Sequence, residues 1–116
     1  MWRADEPLEL LHNDLCGPIT PETAGGNKYF LLIVDDCTRW ISVTVLKTKD
    51  QASSAFAKFK AEAENSLGQK IKMVRSDRGG EFLSAAFKDI CEQAGIKRQL
   101  IAPYSPQQNG VVERRN

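Results

Sequence analysis

Arg75-Ser76-Asp77-Arg78-Gly79-Gly80-Glu81-Phe82 is the stretch on which the fold turns. The apolar run Ile71 to Val74 leads into it and a helical pattern beginning near Ser84 follows. Asp77 is therefore expected where a strand gives way to a glycine-hinged turn. Side chains at such a strand end project into a cleft. Asp14 and Glu113 stand far away in sequence, each inside its own compact polar motif, and the three carboxylates are expected to converge.

Working upstream, Ala52, Ala55, Phe56, Phe59, Ala63 and Leu67 recur at three- and four-residue steps, which predicts a helix from about Asp50. Thr48 and Gln51 have the spacing of a capping box, and Gly68 supplies a stop. Before it, Ile41, Val43 and Val45 alternate with Ser42 and Thr44, as in a strand with one wetter face. Lys28 to Val34 is a continuous apolar run that fits a central strand covered on both sides, closed by Asp35-Asp36. Leu8 to Leu15 is the first strand candidate, with Leu8, Leu10, His12 and Asp14 on one face. Gly17-Pro18, Thr20-Pro21 and Gly25-Gly26-Asn27 supply the reversal after it. Three strands with short links suggest an antiparallel meander, and the long helix permits a parallel crossover to the fourth strand, Ile71 to Asp77.

Downstream, Ser84 is an N-cap for a helix through Phe87, Ile90, Cys91 and Ala94, with Gly95 as its stop. Ile96 to Ala102 reads as a fifth strand. Pro103 to Gly110 is rich in Pro, Gln, Asn and Gly, and Glu113 falls in the first or second turn of a helix starting at Ser105 or Asn109. A helix with barely one turn after Glu113 is marginal in water, which suggests a truncated domain.

At 116 residues the chain is long enough for one domain with a real core. Sixteen Lys and Arg against fifteen Asp and Glu leave a formal charge of +1, so local charge placement, not a global field, would steer any polyanion. Cys16, Cys37 and Cys91 are odd in number and lack a Cys-x-x-Cys pair, which argues against a disulfide framework and a zinc site. No signal-peptide core or membrane-length apolar run is present, so no membrane partner and an intracellular location are expected.

Between Asp14 and Asp77 lie 62 residues, and between Asp77 and Glu113 lie 35. With His12-Asn13-Asp14-Leu15-Cys16-Gly17-Pro18, Asp35-Asp36-Cys37-Thr38-Arg39, the opening stretch, and Tyr104-Ser105-Pro106-Gln107-Gln108-Asn109-Gly110-Val111-Val112-Glu113-Arg114, the sequence resembles the integrase catalytic core of retrotransposons and retroviruses. The likeness is greatest to copia-type (Ty1/copia) elements and covers nearly the whole chain. Four motifs in order with the 35-residue final spacing are highly specific.

The resemblance implies a ribonuclease H-like α/β fold: a five-stranded mixed sheet, antiparallel meander then parallel strands, flanked by helices. Residues 1–116 would be one catalytic core domain, C-terminally truncated, without the family's upstream zinc-binding segment and final helices. It further implies that Asp14, Asp77 and Glu113 form a D,D-35-E triad binding two Mg²⁺ or Mn²⁺ ions. Three carboxylates suit such hard cations, and two ions about 4 Å apart stabilise the entering and leaving oxygens of an in-line phosphodiester displacement. By analogy Asp14 ligates both ions, and Asp77 and Glu113 each favour one. The implied activity is DNA integration by 3′-end processing and strand transfer. Element ends and target DNA would be the partners, in a homo-oligomer of the full-length protein, with the nucleus as the location by family analogy. The alternatives are an inactive retrotransposon remnant that at most binds nucleic acid or partner proteins, and a nuclease of RNA·DNA hybrids.

Other polar residues have plainer readings. His12 is read as packing or hydrogen bonding, and Asp35 and Asp36 as capping a turn or pairing with Arg39. Glu81 is read as support for Asp77 at one remove. Arg75, Arg78, Lys97, Arg98, Arg114 and Arg115 are candidate phosphate contacts or a solvated charged face. Arg78 and Arg114, which flank the triad, are the best of these, and Gln107, Gln108 and Asn109 join them as amides of an active-site loop able to meet DNA.

Overall fold

The computed structural model describes residues 4–19, 25–77 and 79–101. Five strands, β1 (Leu10–Cys16), β2 (Tyr29–Asp35), β3 (Ile41–Leu46), β4 (Met73–Ser76) and β5 (Lys97–Leu100), form one sheet in the order β3-β2-β1-β4-β5. β1 and β2, and β2 and β3, pair antiparallel, while β1 with β4 and β4 with β5 pair parallel. This is the expected meander followed by parallel strands. Helix α1 (Ala52–Leu67) makes the crossover from β3 to β4; α2 (Gly80–Leu83) and α3 (Ala85–Ala94) connect β4 to β5.

The helices bury one face of the sheet. Leu11, Leu31, Ile33 and Val74 from the strands join Phe56 and Phe59 of α1 and Phe87 and Cys91 of α3 in a single core. Phe82 of α2 meets Phe87 nearly edge-on with ring centres 5.5 Å apart, and Phe87 meets Phe56 at 5.1 Å. Such aromatic contacts add about 1 kcal/mol each to simple burial. The four-residue α2 is thus anchored by one buried ring. Leu67, expected on the buried face of α1, is instead half exposed at the helix end.

Caps follow the sequence closely. Ser84 Oγ accepts the Phe87 N–H at 3.2 Å, and the Gln51 side chain accepts the N–H groups of Lys47 and Thr48. Gly68 and Gly95 close their helices in the left-handed region, with φ of 66° and 71°. A 3₁₀ turn, Lys49–Gln51, precedes α1, so the α-helix itself begins at Ala52. Glu64 holds α1 to the approach to β4, taking the Lys60 ammonium at 3.0 Å and the Ile71 N–H at 2.9 Å.

The first strand differs from expectation at its start. Leu8 lies outside β1 with φ of 68°, and its side chain enters the helix-side core. Asp35 and Asp36 bring this about: Asp35 Oδ2 accepts the Leu8 N–H at 3.1 Å, and Asp36 Oδ2 accepts the Ala4 N–H at 2.8 Å. The paired acids therefore fasten the segment ahead of β1, and the Asp36–Arg39 contact is long at 3.9 Å. After β1, Gly17 has φ of 132°, and a Cβ there would stand 2.6 Å from the Lys28 carbonyl oxygen, a space only glycine leaves open.

β3 also departs from its reading. Ser42 and Thr44 face the helices, while Ile41, Val43 and Val45 are 57%, 58% and 52% exposed on the far side. The alternation is real, but the apolar residues occupy the open face. β4 is shorter than expected, Met73–Ser76, and β5 is confined to Lys97–Leu100.

Candidate functional site

β1 and β4 carry the predicted residues to one place. Their parallel register pairs Leu10 with Met73, Leu11 with Val74 and His12 with Arg75. Asp14 and Asp77 each stand two residues beyond the His12–Arg75 pair. Parallel neighbours lie about 4.8 Å apart, and equivalent residues point to the same side. Asp14 is in β1, and Asp77 follows the last residue of β4; both are exposed. Two exposed carboxylates therefore stand just beyond the paired stretch of β1 and β4.

Each has a local hold. Asp77 Oδ1 accepts the Gly79 N–H at 2.9 Å, which turns the carboxylate back over the glycine bend. The Cys16 thiol lies 3.8 Å from Asp14 Oδ2. Its pKa is raised by burial first and then by the Asp14 carboxylate, so the thiol stays protonated and can donate.

His12 lies one step before Asp14 on the same face, and its Nε2 is 2.8 Å from Asp36 Oδ1. The hydrogen-bonding role expected for it is what is found. Burial alone would raise the Asp36 pKa; the Ala4 N–H, His12 and Arg39 outweigh it and hold the carboxyl below its ordinary value. Two of the basic residues are committed within the fold: Arg75 Nε donates to Gln99 Oε1 at 2.6 Å, and Arg98 Nη1 donates to the Phe82 carbonyl at 3.0 Å.

Glu113, Arg78, Gln107, Gln108, Asn109 and Arg114 lie outside the described residues, as do Arg115 and the helix expected around Glu113. Among the described residues no three His, Cys, Asp or Glu side chains come together to hold a metal. The donor chemistry of the pair that is described fits a hard divalent cation: two exposed carboxylates just beyond the paired stretch of β1 and β4, with a glycine beside Asp77. An open groove of about 780 Å³ lies elsewhere, between α1 and β3, lined by Trp40, Phe59 and Leu67 among others. It includes neither Asp14 nor Asp77.

Sequence reading missed the α2 turn and the direction of Glu81. The Gly79-Gly80 pair pointed only to a bend, and the one signal for a helical turn was Phe82, an aromatic residue placed to anchor it.

A central β1 flanked by β2 antiparallel and β4 parallel, with acidic residues at adjoining strand ends, defines a ribonuclease H-like fold. The integrase core domain model matches residues 4–106. The chain is 47% identical over 109 residues to the retrovirus-related Pol polyprotein from transposon TNT 1-94 of Nicotiana tabacum, covering 94% of this chain and 8% of that protein. It is 32% identical over 114 residues to the Pol polyprotein from transposon RE2 of Arabidopsis thaliana, covering 97% and 8%. A chain of the simian T-cell lymphotropic virus intasome, solved with the PP2A regulatory subunit B56 gamma, superposes with a TM-score of 0.68 at 23% identity, covering 100% of this chain and 40% of that one. The chain belongs to the integrase core domain family, and within it to the copia type. It spans less than a tenth of the length of the curated relatives it matches.

Proposed function

We propose that this domain is the catalytic core of a retrotransposon integrase that processes and joins DNA ends, with Asp14, Asp77 and Glu113 holding two Mg²⁺ or Mn²⁺ ions. The observation that supports the reading is the parallel pairing of β1 and β4, whose His12–Arg75 pair lies two residues before both Asp14 and Asp77. When bound, the cations supply charge stabilisation to the entering and leaving oxygens of phosphodiester displacement. Asp14 and Asp77 present the hard oxygen ligands, the Gly79 N–H fixes the direction of Asp77, and Glu113 brings the third carboxylate from downstream. Water is the nucleophile when an end is trimmed, and the freed 3′ hydroxyl when it is joined. No side chain forms a covalent bond to DNA.

Arg78, Gln107, Gln108, Asn109 and Arg114 are assigned to DNA contact, with phosphate the natural target of the two arginines. The full-length protein is taken to act as a homo-oligomer on element ends and target DNA, in the nucleus. No described helix is long and apolar enough to cross a membrane.

The test is calorimetric titration of Mn²⁺ into the chain and its Asp77→Asn variant, beside an oligonucleotide-joining assay of the longer parent protein. Binding lost in the variant, with joining lost in parallel, is the expected result. Equal affinity in both proteins would sink the assignment, and cleavage of RNA·DNA hybrids without DNA joining would move the activity to the nuclease class.

A further inference from the structure

Gly79 stands between two carboxylates. A Cβ on it would lie 3.0 Å from Asp77 Oδ1, 2.5 Å from Glu81 Oε1 and 3.1 Å from Glu81 Cδ. The two carboxylate oxygens can thus be no farther apart than the first two distances laid end to end. The φ of Gly79, −61°, is open to any residue, so the crowding by these carboxylates, not the backbone, favours glycine.

Glu81 is held in this place by the fold. It sits in the first turn of α2, and the next residue, Phe82, is 1% exposed within the aromatic core. Its carboxylate is half-buried, with no hydrogen-bond or ion-pair partner among the described residues. Two carboxylates this close repel each other, and a cation held between or beside them removes the repulsion. A first-turn acid also gains from the helix dipole, but that gain requires no approach to Asp77.

We propose that Glu81 is a positioning residue for the cation site at Asp77, acting across Gly79 by adding charge and an outer-shell acceptor behind the ligand. This rests on the reading of Asp14, Asp77 and Glu113 as cation ligands. Loss of an outer-shell partner typically weakens metal binding at least about tenfold. Gly79 is the spacer: a methyl group there would force the Glu81 carboxylate away.

The experiment is Mn²⁺ calorimetry on the whole chain in four further forms, Glu81→Gln, Gly79→Ala, the double variant and Asp77→Asn, with melting temperature recorded for each. Glu81→Gln is expected to weaken Mn²⁺ binding about tenfold, Gly79→Ala by a similar factor, and the double variant no more than either alone. Unchanged Mn²⁺ affinity in Glu81→Gln overturns the proposal, and a lowered melting temperature with that affinity intact identifies a helix-end role instead. Multiplying losses in the double variant overturn the route through Gly79. Failure of the original chain to bind Mn²⁺ overturns the triad reading and this one with it, whereas binding lost in Asp77→Asn but unaffected by Glu81→Gln overturns this one alone.

Discussion

His12 Nε2 and Asp36 Oδ1 lie 2.8 Å apart, joining β1 two residues before Asp14 to the turn that leaves β2. The same Asp36 carboxylate takes the Ala4 N–H, so one buried acid fixes both the strand and the segment ahead of it. Asp36→Ala is expected to lower stability by about 2 kcal/mol, the scale for a buried, charge-assisted hydrogen bond. Urea unfolding measures it, and a change within error would contradict the role.

The same carboxyl sets a pH signature. Its folded pKa is held below the ordinary 3.8. Folding therefore favours the ionised form, and this contribution is complete above the ordinary value and disappears as pH falls through the depressed folded one. The stability gap between the original chain and Asp36→Asn should shrink as the pH falls below about 4. Thermal melts across that range decide it; a gap that widens in acid would reverse the sign.

Gly17→Ala should cost about 2 kcal/mol, since the new methyl meets a backbone carbonyl in a conformation that side chains rarely adopt. The collision is with main chain, so it cannot be relieved by moving a side chain. Denaturant midpoints would show the loss, and a neutral substitution would mean the turn after β1 yields easily.

Asn13 is 4% exposed on the helix side of β1, and neither polar atom of its side chain has a hydrogen-bond partner among the described residues. An unpaired buried amide is costly, so Asn13→Leu, of similar size, should raise stability by about 1 kcal/mol. A fall in the unfolding midpoint would show that the amide is satisfied in solution.

Much of this architecture is legible in sequence because it is local. The Ser84 cap, the Gly68 and Gly95 stops and the Phe56–Phe59 face follow from neighbours a few residues away. What was hidden depends on distant partners. Nothing near Asp35 or Asp36 announces that their carboxylates serve the N–H groups of Leu8 and Ala4, and so the left-handed Leu8 was read into the first strand. The alternation of Ile41 to Val45 fixed the period of β3 but could not say which face the helices would cover. At the site, motif order and spacing already group Asp14 with Asp77, whereas the adjacency of β1 and β4 behind that grouping is a fact of topology.

That adjacency has a consequence for how such a domain changes over generations. The spacing of β1 and β4, the strands that lead to Asp14 and Asp77, is set by main-chain pairing, which nearly every residue type can make, rather than by the identity of the side chains packed beneath. Substitutions in the core can then alter how firmly the domain holds together while leaving the spacing of β1 and β4 untouched. At 23% identity the intasome chain still superposes with a TM-score of 0.68. The distance between the two strands is inherited from the weave of the sheet, and much of the sequence can drift around it.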